Sequence, residues 1–178
     1  MVSGPSGVGK GTVGQALRER LPDLEYSVSL TTRPPRAVEE HGRDYHFISP
    51  EDFQTLILED AFLEWADVYG HRYGTLAGPV EEARAAGRDV LLELDVQGAA
   101  AIRARVPDAV LIFLVPRSIE ELEARLRRRG TEEAAALDER LSQARREMED
   151  ADRFDHVVVN DDLETAVSEV AAIITGGD

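Results

Sequence analysis

Residues 4–12 read GPSGVGKGT, and this stretch decides the fold. Glycine tolerates backbone angles that other residues avoid, so a run with glycine at positions 4, 7, 9 and 11 can curl tightly. A turn that passes from a strand into a helix aims several N–H groups and the helix N-terminus at one point, and that point attracts an anion. Gly4 to Gly9 followed by Lys10 has the G-x-x-x-x-G-K spacing of a phosphate-binding loop. In such a loop Gly4, Pro5, Ser6, Gly7, Val8 and Gly9 would wrap the phosphates, with the lysine ammonium reaching the outer ones. Lys10 is the only lysine in a chain with 20 basic residues; the rest are arginine. The spacing, the lone lysine and the amphipathic sequel VGQALRERL favour this reading over an ordinary glycine-rich helix cap. One position departs from the pattern. The residue after the lysine is usually a serine or threonine that binds magnesium, and here Gly11 stands there with Thr12 next. A hydroxyl moved by one residue points about 100° round the helix. Thr12 is then left with either a water-mediated metal contact or a bond to a phosphate.

The rest of the chain alternates between short apolar runs and helix-like segments. Runs at Val90 to Leu94, Ala109 to Val115 and His156 to Val159 suit strands buried on both faces of a parallel sheet. Before the glycine turn only Met1-Val2-Ser3 is available, against a usual ~5 residues, so a short first strand and reduced stability are expected. Helix starts are marked by Ser49-Pro50 with Asp52, by Ser118 with Glu121, and by Asp161 with Glu164. Gly87 and Gly130 are expected stops. From about Tyr26 to Thr75 the segments become shorter, alternating and turn-rich, which predicts a small inserted β-rich lobe. From Arg125 to about Asp152 a polar helical stretch with few large apolar residues reads as a cover. No repeats or low-complexity tracts occur.

Length and composition narrow the function. A chain of 178 residues fits one domain that buries roughly 70% of its unfolded surface. Apolar residues at 43% and charged ones at 31% exclude a disordered chain, and no apolar run approaches a bilayer span. The absence of cysteine excludes disulfides and thiolate metal sites, and suits the reducing cytoplasm. No leader-like segment is visible, so a cytoplasmic protein is expected. A net charge of −15 argues against nucleic acid or an anionic membrane as partner. Phosphate must therefore be caught locally, by individual arginines.

Three further stretches supply candidates. In SVSLTTRPPR, Arg33 and Arg36 flank two prolines, which favour an extended coil of three residues per turn. The two guanidiniums then project together as a phosphate clamp, with Tyr45 of GRDYHF as a partner. EWADVYGHRYGT adds the Glu64 carboxylate and the Tyr73 and Thr75 hydroxyls. Guanine presents adjacent N1–H and N2–H donors that one carboxylate accepts together, whereas adenine would leave a buried carboxylate unpaired at a cost of ~1–3 kcal/mol. On its own, a glutamate preceding a tryptophan reads as surface. LLELDVQGA ends an apolar run with Glu93 and Asp95, which share a face by the period of two. Such carboxylates stand over the ligand crevice and would hold magnesium-bound water or reach an acceptor nucleotide.

In this order, SGPSGVGKGT, SVSLTTRPPR, GRDYHF, FLEWADVYGHRYGT, LELDVQGA, RLRRRGTE and VVNDDL resemble guanylate kinases along essentially the whole chain. The resemblance implies an α/β fold of P-loop NTPase type, a parallel-sheet core with helices on both faces. Its core would span 1–28, 76–124 and 154–178, with a β-rich GMP-binding lobe at about 29–75 and a helical lid at about 125–153. It implies ATP as co-substrate, magnesium as cofactor, and transfer of the terminal phosphoryl group to GMP or dGMP, with no obligatory protein partner. By position it assigns Ser29, Glu64, Thr75 and Asp95 to guanine, and Arg33, Arg36, Tyr45 and Tyr73 to the GMP phosphate with Glu93 nearby. Arg129 and Arg140 correspond to lid arginines that act in catalysis with Lys10 and Arg33, and Asn160 lies by the adenine. Thr12 and Asp95 are the candidate metal contacts. Gly11 departs from the family pattern, as does Val38, which stands where glycine is usual and is expected to redirect the loop after Arg36. The alternatives are a P-loop kinase for another small acceptor, or a non-catalytic protein-binding module of the same fold. Such modules typically lose the phosphate loop that this chain keeps.

Overall fold

A computed structural model describes residues 1–68, 70–128 and 134–176. In chain order the elements are β1 (Val2–Ser3), α1 (Lys10–Arg20), β2 (Glu25–Tyr26), β3 (Leu30–Thr31), β4 (His46–Phe47), α2 (Pro50–Leu58), β5 (Phe62–Val68) and β6 (His71–Leu76). They continue as α3 (Ala77–Ala85), β7 (Val90–Leu91), α4 (Val96–Arg105), β8 (Ile112–Val115), α5 (Ile119–Arg128), α6 (Ala134–Glu149), β9 (His156–Val159) and α7 (Leu163–Thr175). The chain divides into two compact units. The first comprises Met1–Leu21, Leu94–Val96 and Val110–Asp178, the second Pro22–Glu93 and Gln97–Ala109. No helix among the described residues is long and apolar enough to cross a membrane.

In the first unit the apolar runs form a parallel sheet in the order β1-β8-β9, with Val2 opposite Ile112 and Ser3 opposite Phe113. Its central strand buries Ile112, Phe113 and Leu114, as expected of a strand covered on both faces. The third run differs from the sequence expectation. At the edge position of β9 only Val158 is buried, and Val157 and Val159 are exposed. Helix α7 covers β9 and packs against α1 through its buried stripe Ala166, Val167, Val170 and Ala171. Its cap also differs. The N–H of Thr165 is accepted by Asp162 rather than by Asp161, which instead pairs with Arg117 at 3.3 Å. Ser118 accepts from Glu121 N–H at the start of α5 as the sequence suggests. Leu122 and Leu126 of α5 bury against Leu141 and Ala144 of α6.

In the second unit β2 and β7 pair in parallel, and a four-stranded sheet runs β4-β3-β6-β5. Strand β7 ends at Leu91, short of the Leu94 that the apolar run suggests. Helix α2 is capped by Ser49, which accepts from Asp52 N–H at 3.0 Å. It presents Phe53 to a core of Leu30, Phe62, Ile48, Leu56, Ile57 and Leu76. Gly87 adopts φ 73° just past α3, as a helix stop should. Gly130 lies outside the described residues. The register slips in β5: Phe62 faces Leu76, yet Glu64 faces Thr75. The extra residue, Leu63, is a β-bulge that turns the strand over. Phe62 and Trp65, three apart and ordinarily on opposite faces, both meet the Phe53 ring, at 4.5 and 6.5 Å between centroids. Glu64 is thereby sent to the face away from that core.

Candidate active site

The phosphate loop is built by close backbone approaches. Gly4 has φ 142°, and a β-carbon there would stand 2.4 Å from the Leu114 carbonyl oxygen; Gly9 has φ 105° and begins α1. Both angles are left-handed backbone that favours glycine, and at Gly4 the neighbour is rigid strand. The back of the loop is braced at one carbonyl. Val8 O accepts Asn160 Nδ2 at 2.8 Å and Arg125 Nη1 at 3.1 Å. Arg125 continues to Asn160 O at 2.7 Å and to the Glu121 carboxylate. Lys10 Nζ arches over the loop to Gly4 O at 2.6 Å and Pro5 O at 3.3 Å. No side chain caps α1, and its first turn holds no acidic residue, so its positive end is left to an outside anion. Two residues of α6 reach the same loop. Arg140 Nη2 donates to Ser6 Oγ at 2.7 Å, and Glu147 Oε2 accepts Ser6 N–H at 3.3 Å. Burial raises the Glu147 carboxyl above its ordinary value, and Gln143, Lys10 and the Ser6 amide only partly offset it.

The second unit holds a cluster built on the face that the bulge exposes. Glu64 is 7% exposed and accepts Thr75 Oγ1–H at 2.7 Å from its cross-strand neighbour. On the same face Tyr73 accepts Arg33 Nε–H at 3.1 Å. The Arg33 guanidinium lies against the rings of Tyr45 and Phe47, at 5.6 and 5.9 Å, and the Tyr45 ring meets Tyr73 edge-on. Burial, then the nearby Tyr73 and Glu93, lift the Tyr45 hydroxyl to about 12, so Tyr45 stays a neutral donor. The RPPR geometry brings both guanidiniums to one carboxylate oxygen, Glu39 Oε1, at 2.9 Å from Arg33 and 3.6 Å from Arg36. Val38 sits exposed in the turn that closes from Glu39 N–H to Arg36 O at 3.0 Å. That turn holds no left-handed residue, since Asp60 alone among the described non-glycine residues has positive φ.

A guanylate kinase family model matches residues 1–176. The chain belongs to the guanylate kinase family. A guanylate kinase of Mycobacterium leprae is 52% identical over 178 residues, covering 99% of this chain and 85% of its own. One from Carboxydothermus hydrogenoformans is 48% identical over 175 residues, covering 98% and 86%. The crystal structure of guanylate kinase from Anaplasma phagocytophilum superposes with a TM-score of 0.83 at 32% identity, over 98% of this chain and 82% of that one. A gluconokinase from Sinorhizobium meliloti, at TM-score 0.53 and 19% identity over 98% and 90%, shares the fold.

For this guanylate kinase family member the structure groups Arg33, Arg36, Tyr45, Tyr73, Glu64 and Thr75 in one unit. Lys10, Ser6, Asn160 and Arg140 meet in the other. Ser29 offers its carbonyl to His46 N–H at 2.9 Å, and Glu93 accepts Tyr26 O–H at 2.6 Å. Asp95 belongs to the loop's unit, near enough to Glu147 to act on its charge. Arg129 lies outside the described residues. Four residues of these clusters are missed by the sequence reading: Arg125, Glu147, Glu39 and Tyr26. Apart from the family resemblance, Arg125 to Arg129 reads as a solvated helix face. Yet Arg125 stands three residues beyond Leu122 and one before Leu126, inside the buried stripe of α5, and that position was the available signal.

Proposed function

We propose that this chain transfers the terminal phosphoryl group of ATP to GMP, and to dGMP, giving ADP and GDP in purine nucleotide metabolism. The observation that carries the choice of acceptor is the buried Glu64 carboxylate beside Thr75. A carboxylate so placed can accept both guanine N1–H and N2–H, an adjacent pair of donors that adenine does not offer. Arg33, Arg36, the neutral Tyr45 hydroxyl and Tyr73 bind the acceptor phosphate. Ser29 and Asp95 complete the reading of the base.

On the donor side the loop N–H groups and the uncapped end of α1 hold the triphosphate. Lys10, on loop carbonyls here, turns its ammonium to the outer phosphates, and Asn160 lines the adenine side. Little covalent work falls to the protein: the two phosphates must be in line and the developing charge compensated. Arg140 stands at Ser6, where the terminal phosphate would lie, and Arg129 adds a second guanidinium.

Among the described residues no three His, Asp or Glu side chains form a ready-made metal site. That suits magnesium, which keeps several waters and enters on substrate phosphates. Thr12 and Asp95, both oxygen donors of the loop's own unit, would hold it through water. When bound it neutralises charge on the transferring phosphates. The cysteine-free composition suits work on the nucleotide pool of the cytoplasm.

The test is a coupled assay of ADP release across GMP, dGMP, AMP, UMP and CMP, with and without magnesium. GMP and dGMP are expected to exceed the others in kcat/KM by at least about a hundredfold, with activity lost on chelation. Preference for AMP would remove Glu64 from base recognition, and activity without the metal would remove Thr12 and Asp95 as its holders.

A further inference from the structure

Glu39 lies outside every motif that singled out the arginines, yet its carboxylate is where they converge. Its Oε1 receives Arg33 Nη2 at 2.9 Å and lies 3.6 Å from Arg36 Nη1, while Oε2 receives the Arg36 backbone N–H at 2.8 Å. Its position is not free to drift. The Glu39 N–H closes a turn onto Arg36 O at 3.0 Å, so backbone and side chain of one residue grip both polar groups of another. We infer that Glu39 is a positioning residue for the acceptor phosphate, a post of fixed height that sets the spacing of the Arg33 and Arg36 guanidiniums. This rests on the reading of those arginines as the phosphate clamp.

Burial and donor geometry favour this role over that of a surface ion pair. The Arg33 and Glu39 side chains are 13% and 12% exposed, and a pair taken that far from water carries a desolvation cost that a pair on the open surface does not. Burial alone would raise the Glu39 carboxyl. The bonds from Arg33 and the Arg36 amide outweigh it and hold the carboxyl below its ordinary value, so it stays charged at neutral pH. A carboxylate that merely fills the phosphate position would engage the donors a phosphate needs, and Glu39 does not. Arg33 uses Nε on Tyr73, Nη1 on Pro34 O and Nη2 on Glu39. An arginine carries five N–H groups, so one on each terminal nitrogen remains. Arg36, with its side chain 46% exposed, meets Glu39 only beyond hydrogen-bond length, so its fork also stays available. The two arginines depend on the post unequally. Arg33 would keep Tyr73 and Pro34 without it, whereas Arg36 would lose the carboxylate that aims it.

The full chain carrying E39A, E39Q, R33A, R36A or R36A/E39A tests this by GMP titration at saturating ATP. Calorimetry with GMP and with guanosine, which lacks the phosphate, accompanies it. E39A is expected to raise the GMP KM about tenfold, with kcat within about threefold and guanosine affinity unchanged. In the R36A background it should add little, because groups acting as one unit are not additive. E39Q guards against an unravelled turn. It keeps the oxygen but not the charge, and is expected to raise the GMP KM about threefold. An unchanged or lowered KM in both variants would overturn the inference, as would parallel loss of guanosine binding or full additivity with R36A. If R33A and R36A themselves leave the GMP KM unmoved, the clamp reading fails first, and Glu39 with it.

Discussion

Glu147 illustrates how much a single side chain can disclose. It stands about two turns beyond Arg140 on the same face of α6, and both touch Ser6, one through the hydroxyl and the other through the backbone N–H. Burial lifts its carboxyl above the ordinary value, with Asp95 adding to the shift and Gln143, Lys10 and Ser6 opposing it. The sign follows from linkage. A carboxyl whose folded value is raised is accommodated while protonated, and the stability it allows is lost as pH climbs through that raised value. Glu147→Gln keeps the size without the charge. Its Tm should therefore gain on that of the parent chain as pH rises from about 4 to about 8, with the two chains closest at the acid end. Thermal melts in a constant-ionic-strength buffer series give the comparison. Parallel curves across the series would mean that the charge carries no burial cost.

At the scale of elements, the β5–β6 pair carries Glu64, Tyr73 and Thr75 of the proposed acceptor site, and Gly74 is where it is most tightly built. A β-carbon on Gly74 would stand 2.7 Å from the Phe62 ring, and that ring is stacked on Phe53 at 4.5 Å. Neither ring has room to yield, so Gly74→Ala should cost about 1–3 kcal/mol. Gly78, in helix α3 with nothing within 4 Å of its would-be β-carbon, is the contrasting site. Gly78→Ala should be neutral or stabilising by up to about 1 kcal/mol. Urea unfolding of the two variants decides it, and equal midpoints would refute the packing argument. The same strands mark the limit of what the chain's letters disclose. Spacing alone announces the phosphate loop and the paired arginines, because both depend on local backbone geometry. Ser49 and Ser118 announce their helices for the same reason. Whether Asp161 or Asp162 caps α7 turns on a one-residue difference in chain path that adjacent aspartates cannot signal. The turning of Glu64 to the face away from the Phe53 core depends on a bulge at Leu63, set by partner strand and core together. Glu39 acts through a turn without glycine and leaves no pattern in its own neighbourhood, whereas Arg125 leaves only its place in the apolar stripe of α5, which does not say what it touches.

For the molecule as a whole, the open question is how a chain with 35 acidic and 20 basic residues admits anionic nucleotides. The groups proposed to bind phosphate act within a few ångströms, through bonds that ions in solution hardly weaken. The net charge of −15 acts much further, because the Debye length is about 30 Å at 0.01 M salt and about 8 Å at 0.15 M. In dilute buffer an approaching nucleotide meets the repulsion of the whole surface before it meets any guanidinium. At physiological salt that repulsion is screened while the clamp is intact. The association rate of GMP should therefore rise between 0.01 and 0.15 M salt by a factor of about two to ten. For an enzyme that steers its substrate with a net positive surface it would fall. Dissociation should change less, since it reports the short-range contacts. Stopped-flow binding of a fluorescent GMP analogue at several salt concentrations separates the two rates. A falling association rate would show that the local field of Arg33 and Arg36 reaches past the first solvent layers and governs capture despite the acidic surface.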